Sequence, residues 1–205
     1  QLDIPIVFLD AEPEDNVFDL VTGEDFDSAY KAVCLAHSEG IRNIGFYSVW
    51  DKGFSTMRLR SEGASQAIRD LNLPHDPKWI RIQECNTLDF HSDVVLHDKV
   101  TDLKDFIREC PELEMLIVGN DDAAFSLYKA CSELNLRIPE DIKVISYGNY
   151  NWNSFFNIGF SSFEQNFFQY GKEAAALLVK RIRGQLPPLQ QKRTISYKLI
   201  RRKSF

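Results

Sequence analysis

The stretch from Leu116 to Asn149, LIVGNDDAAFSLYKACSELNLRIPEDIKVISYGN, decides the architecture. It opens in a short apolar run, Met115 to Val118, too brief for a helix and bounded by Gly119, Asn120 and Asp121. A helical period follows from Asp122 to Leu134, with Ala124, Leu127, Tyr128 and Cys131 on one face. The Pro139-Glu140-Asp141 turn then leads into a second apolar run, Ile142 to Tyr147. Two strands joined by a helix-length crossover lie parallel, so this stretch predicts a βαβ unit. The same alternation extends outward. Further strands are expected at Ile4 to Leu9, Asn43 to Val49, Trp79 to Gln83 and Thr194 to Ile200. Helices are expected from Asp27 to Glu39, capped at Gly40, from Met57 to Leu71 with Leu59, Ala64, Ala67, Ile68 and Leu71 inward, from Asp98 to Arg108, and from Phe167 to Arg183. The predicted class is α/β, with a doubly wound parallel sheet covered on both faces. Only Gly148 to Gln165, with four Phe and one Trp, lacks a clear period, and an irregular segment of that length carries either function or packing.

Composition sets bounds on function. The chain has 205 residues, 44% of them hydrophobic and 26% charged, with 15 Phe, which suits a folded domain with a substantial core. A formal net charge of −6 argues against this segment gripping a phosphate backbone by itself. No apolar stretch approaches the ~20 residues that span a bilayer. Cys34, Cys85, Cys110 and Cys131 form no CxxC pair and lie within or beside apolar segments, so buried reduced thiols are expected.

The chemistry-bearing motifs are informative by default. Neither GxGxxG nor GxxxxGK[ST] is present, so the glycines that cradle nucleotide phosphates are missing. There is no GxSxG nucleophile elbow. His37, His75, His91 and His97 show no metal-ligand spacing, and the acidic run at Glu12, Glu14 and Asp15 reads as a solvated turn. The expectation is therefore no enzyme, no metal and no cofactor.

Several segments, taken in order, carry a resemblance: IPIVFLD (Ile4 to Asp10), GED (Gly23 to Asp25), EGIRNIGFYS (Glu39 to Ser48), STMRLRSEGASQAIRDLNL (Ser55 to Leu73), the Leu116 to Asn149 stretch, FSSFEQN (Phe160 to Asn166) and KLIRRKS (Lys198 to Ser204). Together they resemble the effector-binding domain of the LacI/GalR family of bacterial transcription regulators. The resemblance implies a periplasmic-binding-protein-like type I fold of two doubly wound subdomains with a small polar molecule between them. It implies further that residues 1–22 and 165–192 belong to an N-terminal subdomain incomplete in this chain, and 23–164 with 193–205 to the C-terminal one. The function implied is ligand sensing and dimerisation in a cytoplasmic regulator, likewise its partners: a sugar or sugar derivative, a second copy of the chain, and DNA through a domain outside these residues. A periplasmic sugar-binding protein of a transporter is the alternative on the same fold.

By the resemblance, Asp10, Arg60 and Asn120 match effector-contacting positions, and all three fall at or near the carboxyl ends of predicted strands, where open parallel sheets bind ligands. Plainer readings stand beside these: Asp10 caps a turn, Arg60 pairs on the helix surface with Glu62 or Asp70, and Asn120 and Asp121 open a helix. The preferred division makes Asn120 the ligand and Asp121 the cap. Trp50, Phe90, Trp152 and Phe167 are candidates to stack on a sugar face. One departure is evident: where the family places an Asp after the fifth strand, this chain has Gly148, with Asn149 the expected neutral substitute. That departure leaves open another polyol, an acidic or phosphorylated effector, or loss of small-molecule binding.

Overall fold

A computed structural model describes all residues except 1–3, 14–15, 51–54, 85–92 and 156. The chain runs β1 (Val7–Leu9), β2 (Asp19–Gly23), α1 (Asp25–Ser38), β3 (Ile44–Trp50), α2 (Ser55–Asp70), β4 (Ile80–Glu84), α3 (Asp93–Glu109), β5 (Met115–Val118), α4 (Asp121–Glu133), β6 (Lys143–Tyr147), β7 (Ser161–Glu164), α5 (Phe167–Ile182), β8 (Lys192–Ile195) and β9 (Lys198–Ile200). These strands form two sheets. The larger has the order β4-β3-β5-β6-β7-β9, parallel except for β9, which runs antiparallel to β7. The smaller is β1-β2-β8, parallel throughout, with β1 on its edge.

The larger sheet is wound on both sides, and alternation along its strands distributes the core. Ile44, Phe46, Met115, Ile117 and Ile145 pack with α1 and α2, where Ala29, Val33, Ala36, Ala64 and Ala67 are buried. Tyr47, Val49, Leu116, Val118 and Val144 face the other way, onto Leu103 and Phe106 of α3 and Ala124 and Leu127 of α4. Strands buried on both faces read as continuous apolar runs, which is why they were legible in the sequence. Helix α5 instead packs on the smaller sheet.

The structure revises several element boundaries. The strand expected from Thr194 to Ile200 is two strands in different sheets, β8 and β9, because the chain crosses between sheets at Ser196 and Tyr197. The strand expected from Ile4 is ordered as such only from Val7. Strand β2 was not anticipated, since DLVTG is too short and mixed to show a period, yet all five of its residues are buried. The aperiodic segment after Gly148 holds a 3-10 turn, Asn151–Phe155, and then β7. Two helix faces are also corrected. On α4, Tyr128 is exposed rather than inward, and on α2 it is Arg60 that is buried while its neighbour Leu59 is only half-buried. Cys34 is half-buried, and Cys110 and Cys131 are buried; all three are free thiols, and Cys85 lies outside the described residues. Among the described residues no helix is long and apolar enough to cross a membrane.

Candidate functional site

Three crossings join the sheets: Gly23 to Asp25, Glu164 to Phe167, and Ile195 to Lys198. They are tied to one another. Glu24 N donates to Ile195 O at 3.1 Å and Tyr197 N donates to Glu24 Oε1 at 2.8 Å. The Tyr197 hydroxyl accepts from Gln165 Nε2 at 3.1 Å and donates to Asp25 Oδ1 at 3.2 Å. Gly23 allows this closeness: a Cβ there would lie 1.7 Å from the Tyr197 hydroxyl oxygen and 2.3 Å from that of Tyr170.

Beside this knot, residues from both sheets converge. Asp10 follows β1 with φ 66°, a left-handed conformation that Asp tolerates better than most side chains. Its backbone is pinned there, since Asp10 N donates to Val21 O at 2.8 Å and Thr22 Oγ1 donates to Asp10 O at 2.9 Å. The carboxylate Oδ1 is buried with no hydrogen-bond partner among the described residues. Burial raises its pKa above the ordinary 3.8, the Asp25 charge adds to that, and Arg60 and the Tyr170 hydroxyl pull the other way.

Arg60 is 1% exposed and its surroundings explain how a cation is held there. Its Nε donates to Asp25 Oδ1 at 2.7 Å, Nη1 donates to the Gly119 carbonyl, and the guanidinium carbon lies 4.0 Å from the Tyr147 ring centroid. Desolvation disfavours its charge, but Asp25 and the flanking tyrosines outweigh that and raise the pKa. The surface pairing with Glu62 or Asp70 is thereby overturned: Glu62 binds Arg58, and Asp70 binds Tyr30 and Gln66.

The division between Asn120 and Asp121 is also reversed as regards the cap. Asn120 caps α4, its Oδ1 accepting from Ala123 N at 2.8 Å. Asp121 is fully buried and accepts from the Ser146 and Ser162 hydroxyls and, at 2.8 Å, from Tyr150 N. It braces β6, β7 and the loop after β6 against the start of α4. Burial raises its pKa, and these donors oppose the rise.

Gly148 has φ +123°, which L side chains rarely adopt, and a Cβ there would lie 3.1 Å from the Tyr150 ring. An Asp at this position would therefore meet both a backbone and a steric obstacle. Asn149 is left-handed at φ 54°; its Nδ2 donates to Glu164 Oε1 at 3.0 Å and its Oδ1 accepts from Arg202 Nη2 at 2.5 Å. These residues line a cavity of ≈ 390 Å³ with Tyr150, Gln165 and Phe167. Trp152 sits edge-on to Tyr150, centroids 6.0 Å apart. Phe90 lies outside the described residues, and only the backbone of Trp50 is described, at the end of β3. A larger groove of ≈ 540 Å³ follows the β1 edge, lined by Ile4, Ile6, Val17 and Phe18, but its Asp19 and Arg181 are spent on each other.

Tyr170, Tyr197, Asp25, Gln165 and Tyr150 were not among the predicted site residues. They lie on five separate segments, and the only sequence signals were the acidic start of α1 and tyrosines at otherwise apolar positions.

Two largely parallel sheets joined by three crossings, with polar side chains gathered where strands end, define a cleft-type binding domain of the kind that holds small ligands. The chain belongs to the periplasmic binding protein-like domain family, which matches residues 35–205. It is 26% identical over 183 residues to the HTH-type transcriptional repressor PurR of Histophilus somni, covering 88% of this chain and 51% of that protein. It is 32% identical over 127 residues to the NTD biosynthesis operon regulator NtdR of Bacillus subtilis, covering 62% of this chain and 35% of the regulator. The chain thus spans about half or less of the length of these relatives. Among solved structures it resembles the transcriptional regulator CelR–cellobiose complex, with a TM-score of 0.82 and 18% identity over 97% of this chain and 58% of the other. It also resembles a LacI family transcriptional regulator from Enterococcus faecium with bound ribose, with a TM-score of 0.77 and 23% identity over 98% and 70%.

Proposed function

We propose that this chain is the ligand-sensing part of a bacterial transcription regulator that binds a sugar or related small polar effector where the two sheets meet. The observation that carries the reading is Asp10, a buried carboxylate oxygen without a hydrogen-bond partner among the described residues, held left-handed at a strand end. Such a group costs stability in the free protein, and a ligand donor is the natural occupant. In this reading Arg60, whose charge acts on Asp10, and Asn120 at the start of α4 are its co-ligands, Asn149 contributes from the neighbouring cavity it lines, and Trp50 and Phe90 are candidates to stack on the effector.

In this reading residues 1–22 and 165–192 belong to one subdomain, and 23–164 with 193–205 to the other. The open β1 edge beside Ile4 and Val17, 58% and 74% exposed, supports continuation of the smaller sheet by further strands. The regulator is a cytoplasmic homodimer that is not an enzyme and contacts DNA through a domain outside these residues. The effector shifts the balance between subdomain arrangements because it favours the closed one. The curated relatives named above are a repressor and an operon regulator, which favours this over a transporter's binding protein.

A thermal-shift screen of pentoses, hexoses, sugar acids, sugar phosphates and purines on the full-length protein tests the reading. A ligand at about 100 times its Kd stabilises by about 2.7 kcal/mol. One class is expected to stabilise the wild type, and Asp10→Ala and Asn120→Ala to diminish the effect. Wild-type titration curves from both variants would refute the site.

A further inference from the structure

At the far end of the larger sheet from the strand ends described above lies a separate cavity of ≈ 210 Å³. It is lined by Ile44 and Ile80, which open β3 and β4, by Ser65, Ile68 and Arg69 near the end of α2, and by Trp79 just before β4. Strand β3 has 7 residues, so the cavity stands about 20 Å from the carboxyl ends where the effector site is placed.

Its interior suits an apolar occupant. Ile44, Ile68 and Trp79 are buried, and the polar side chains of the lining are already engaged. Ser65 Oγ donates to the Ser61 carbonyl at 2.8 Å, and Trp79 Nε1 donates to Glu112 Oε1 at 2.9 Å. Asp76 Oδ1 accepts from Lys78 N at 2.9 Å, and its other oxygen lies 3.9 Å from Lys78 Nζ.

The mouth differs, because the two exposed lining residues Arg69 and His75 stand there. Arg69 Nη2 donates to Gln66 Oε1 at 2.6 Å, and among the described residues Arg69 pairs with no carboxylate. The acidic side chains nearby are committed elsewhere: Asp70 accepts from Tyr30 and Gln66, and Asp76 is held by Lys78. The remaining guanidinium donors are thus available, in a planar fork that matches a carboxylate. A solvated arginine in the last turn of a helix is ordinary by itself. What distinguishes Arg69 is the apolar cavity it borders. Size narrows the occupant further: an apolar cavity of about 150 Å³ takes up benzene, so ≈ 210 Å³ accommodates one ring with a short substituent and is too small for a disaccharide or a nucleotide.

We propose that this cavity is a second ligand site, for an apolar carboxylate the size of a single aromatic ring: the ring packs on Ile44, Ile68 and Trp79, and the carboxylate meets Arg69 at the mouth. Bound there, the ligand ties the end of α2 to the start of β4. None of the lining residues belongs to the cleft between the sheets, so the site does not rest on the effector reading.

Benzoate is the probe, with benzyl alcohol and phenethylamine as its neutral and cationic counterparts, titrated into the full-length protein labelled with 5-fluorotryptophan. The Trp79 fluorine resonance, assigned by its loss in Trp79→Phe, reports on the cavity. Benzoate is expected to shift it with a Kd of about 1 mM or tighter, and the two counterparts to bind at least about 10-fold more weakly. Ser65→Leu fills the cavity and gives up only a hydroxyl bonded within its own helix, so it is expected to abolish the shift. Arg69→Gln, at an exposed position, is expected to weaken benzoate by about 10-fold and to leave benzyl alcohol unchanged. Asp10→Ala is expected to keep the benzoate shift of the wild type, whatever becomes of its effector response. Absence of a Trp79 shift, a shift of wild-type size in Ser65→Leu, benzyl alcohol binding as tightly as benzoate, or equal benzoate affinity in wild type and Arg69→Gln each overturns the site. Loss of the shift in Asp10→Ala does so too, by placing the acid in the cleft. Should Ser65→Leu fail to fold, the comparison of wild type with Arg69→Gln decides.

Discussion

Arg60 Nε donates to Asp25 Oδ1 at 2.7 Å, and the two side chains are 2% and 0% exposed. This pair fastens α2 to the first turn of α1, directly beside the crossing at Gly23. Removing one partner of a buried pair strands the other charge, at a cost of about 3–5 kcal/mol. Arg60→Ala and Asp25→Ala are each expected to lower stability by that order, measured by urea unfolding. The double variant is expected to lose much less than the sum, since neither charge is then orphaned. Additive losses would show that the two side chains act independently.

Asp10 and Asp19 are expected to respond oppositely to acid. The folded-state pKa of Asp10 is raised by burial, so its contribution is fully present below the ordinary 3.8 and is lost as pH rises through the folded value. The groups facing it are Asp25, Arg60, Tyr170 and Tyr150. Asp10→Asn is thus expected to stabilise the ligand-free protein at neutral pH by on the order of 1 kcal/mol and to converge on wild type in acid. The same variant is expected to lose effector response, read by ligand-induced change in melting temperature.

Asp19 has the other sign. The Arg181 side chain lowers its pKa, so its contribution is present above 3.8 and is lost as pH falls through the folded value. Arg181 holds both Asp19 oxygens and also donates to the Pro187 and Leu189 carbonyls, joining β2, the end of α5 and the approach to β8. Arg181→Met is expected to abolish the part of the acid sensitivity that Asp19 supplies, seen as a flatter dependence of melting temperature on pH between about 5 and 2.

Restoring the family's acidic residue is expected to fail. Gly148→Asp forces an L side chain to φ +123° against the Tyr150 ring, for a loss of about 1–3 kcal/mol. Pairing it with Tyr150→Ala is expected to relieve the steric part and leave the backbone part. A Gly148→Asp protein as stable as wild type, with a newly acquired sugar response, would show that the loop after β6 rebuilds freely.

By itself the sequence determined the layered plan. Met115–Val118 and Lys143–Tyr147 are apolar because both faces of their sheet are covered, and the intervening helix shows its period because one face is wet; such local patterns survive without knowing the partners. It also pointed to Asp10 as a residue at a strand end, and to Asn120 at the opening of a helix. What it did not contain was the assignment of DLVTG to a strand, the splitting of one apparent C-terminal strand between two sheets, or the burial of Arg60. Each of those depends on contacts between segments far apart in the chain: Leu20 pairs with Lys192, and Arg60 finds its carboxylate 35 positions away. Likewise, Tyr170 and Tyr197 read as ordinary core residues until the crossings bring their hydroxyls together. Periodicity reports which side of an element is buried, and only the tertiary structure decides which polar atoms meet there and which, like Asp10 Oδ1, find no partner among the described residues.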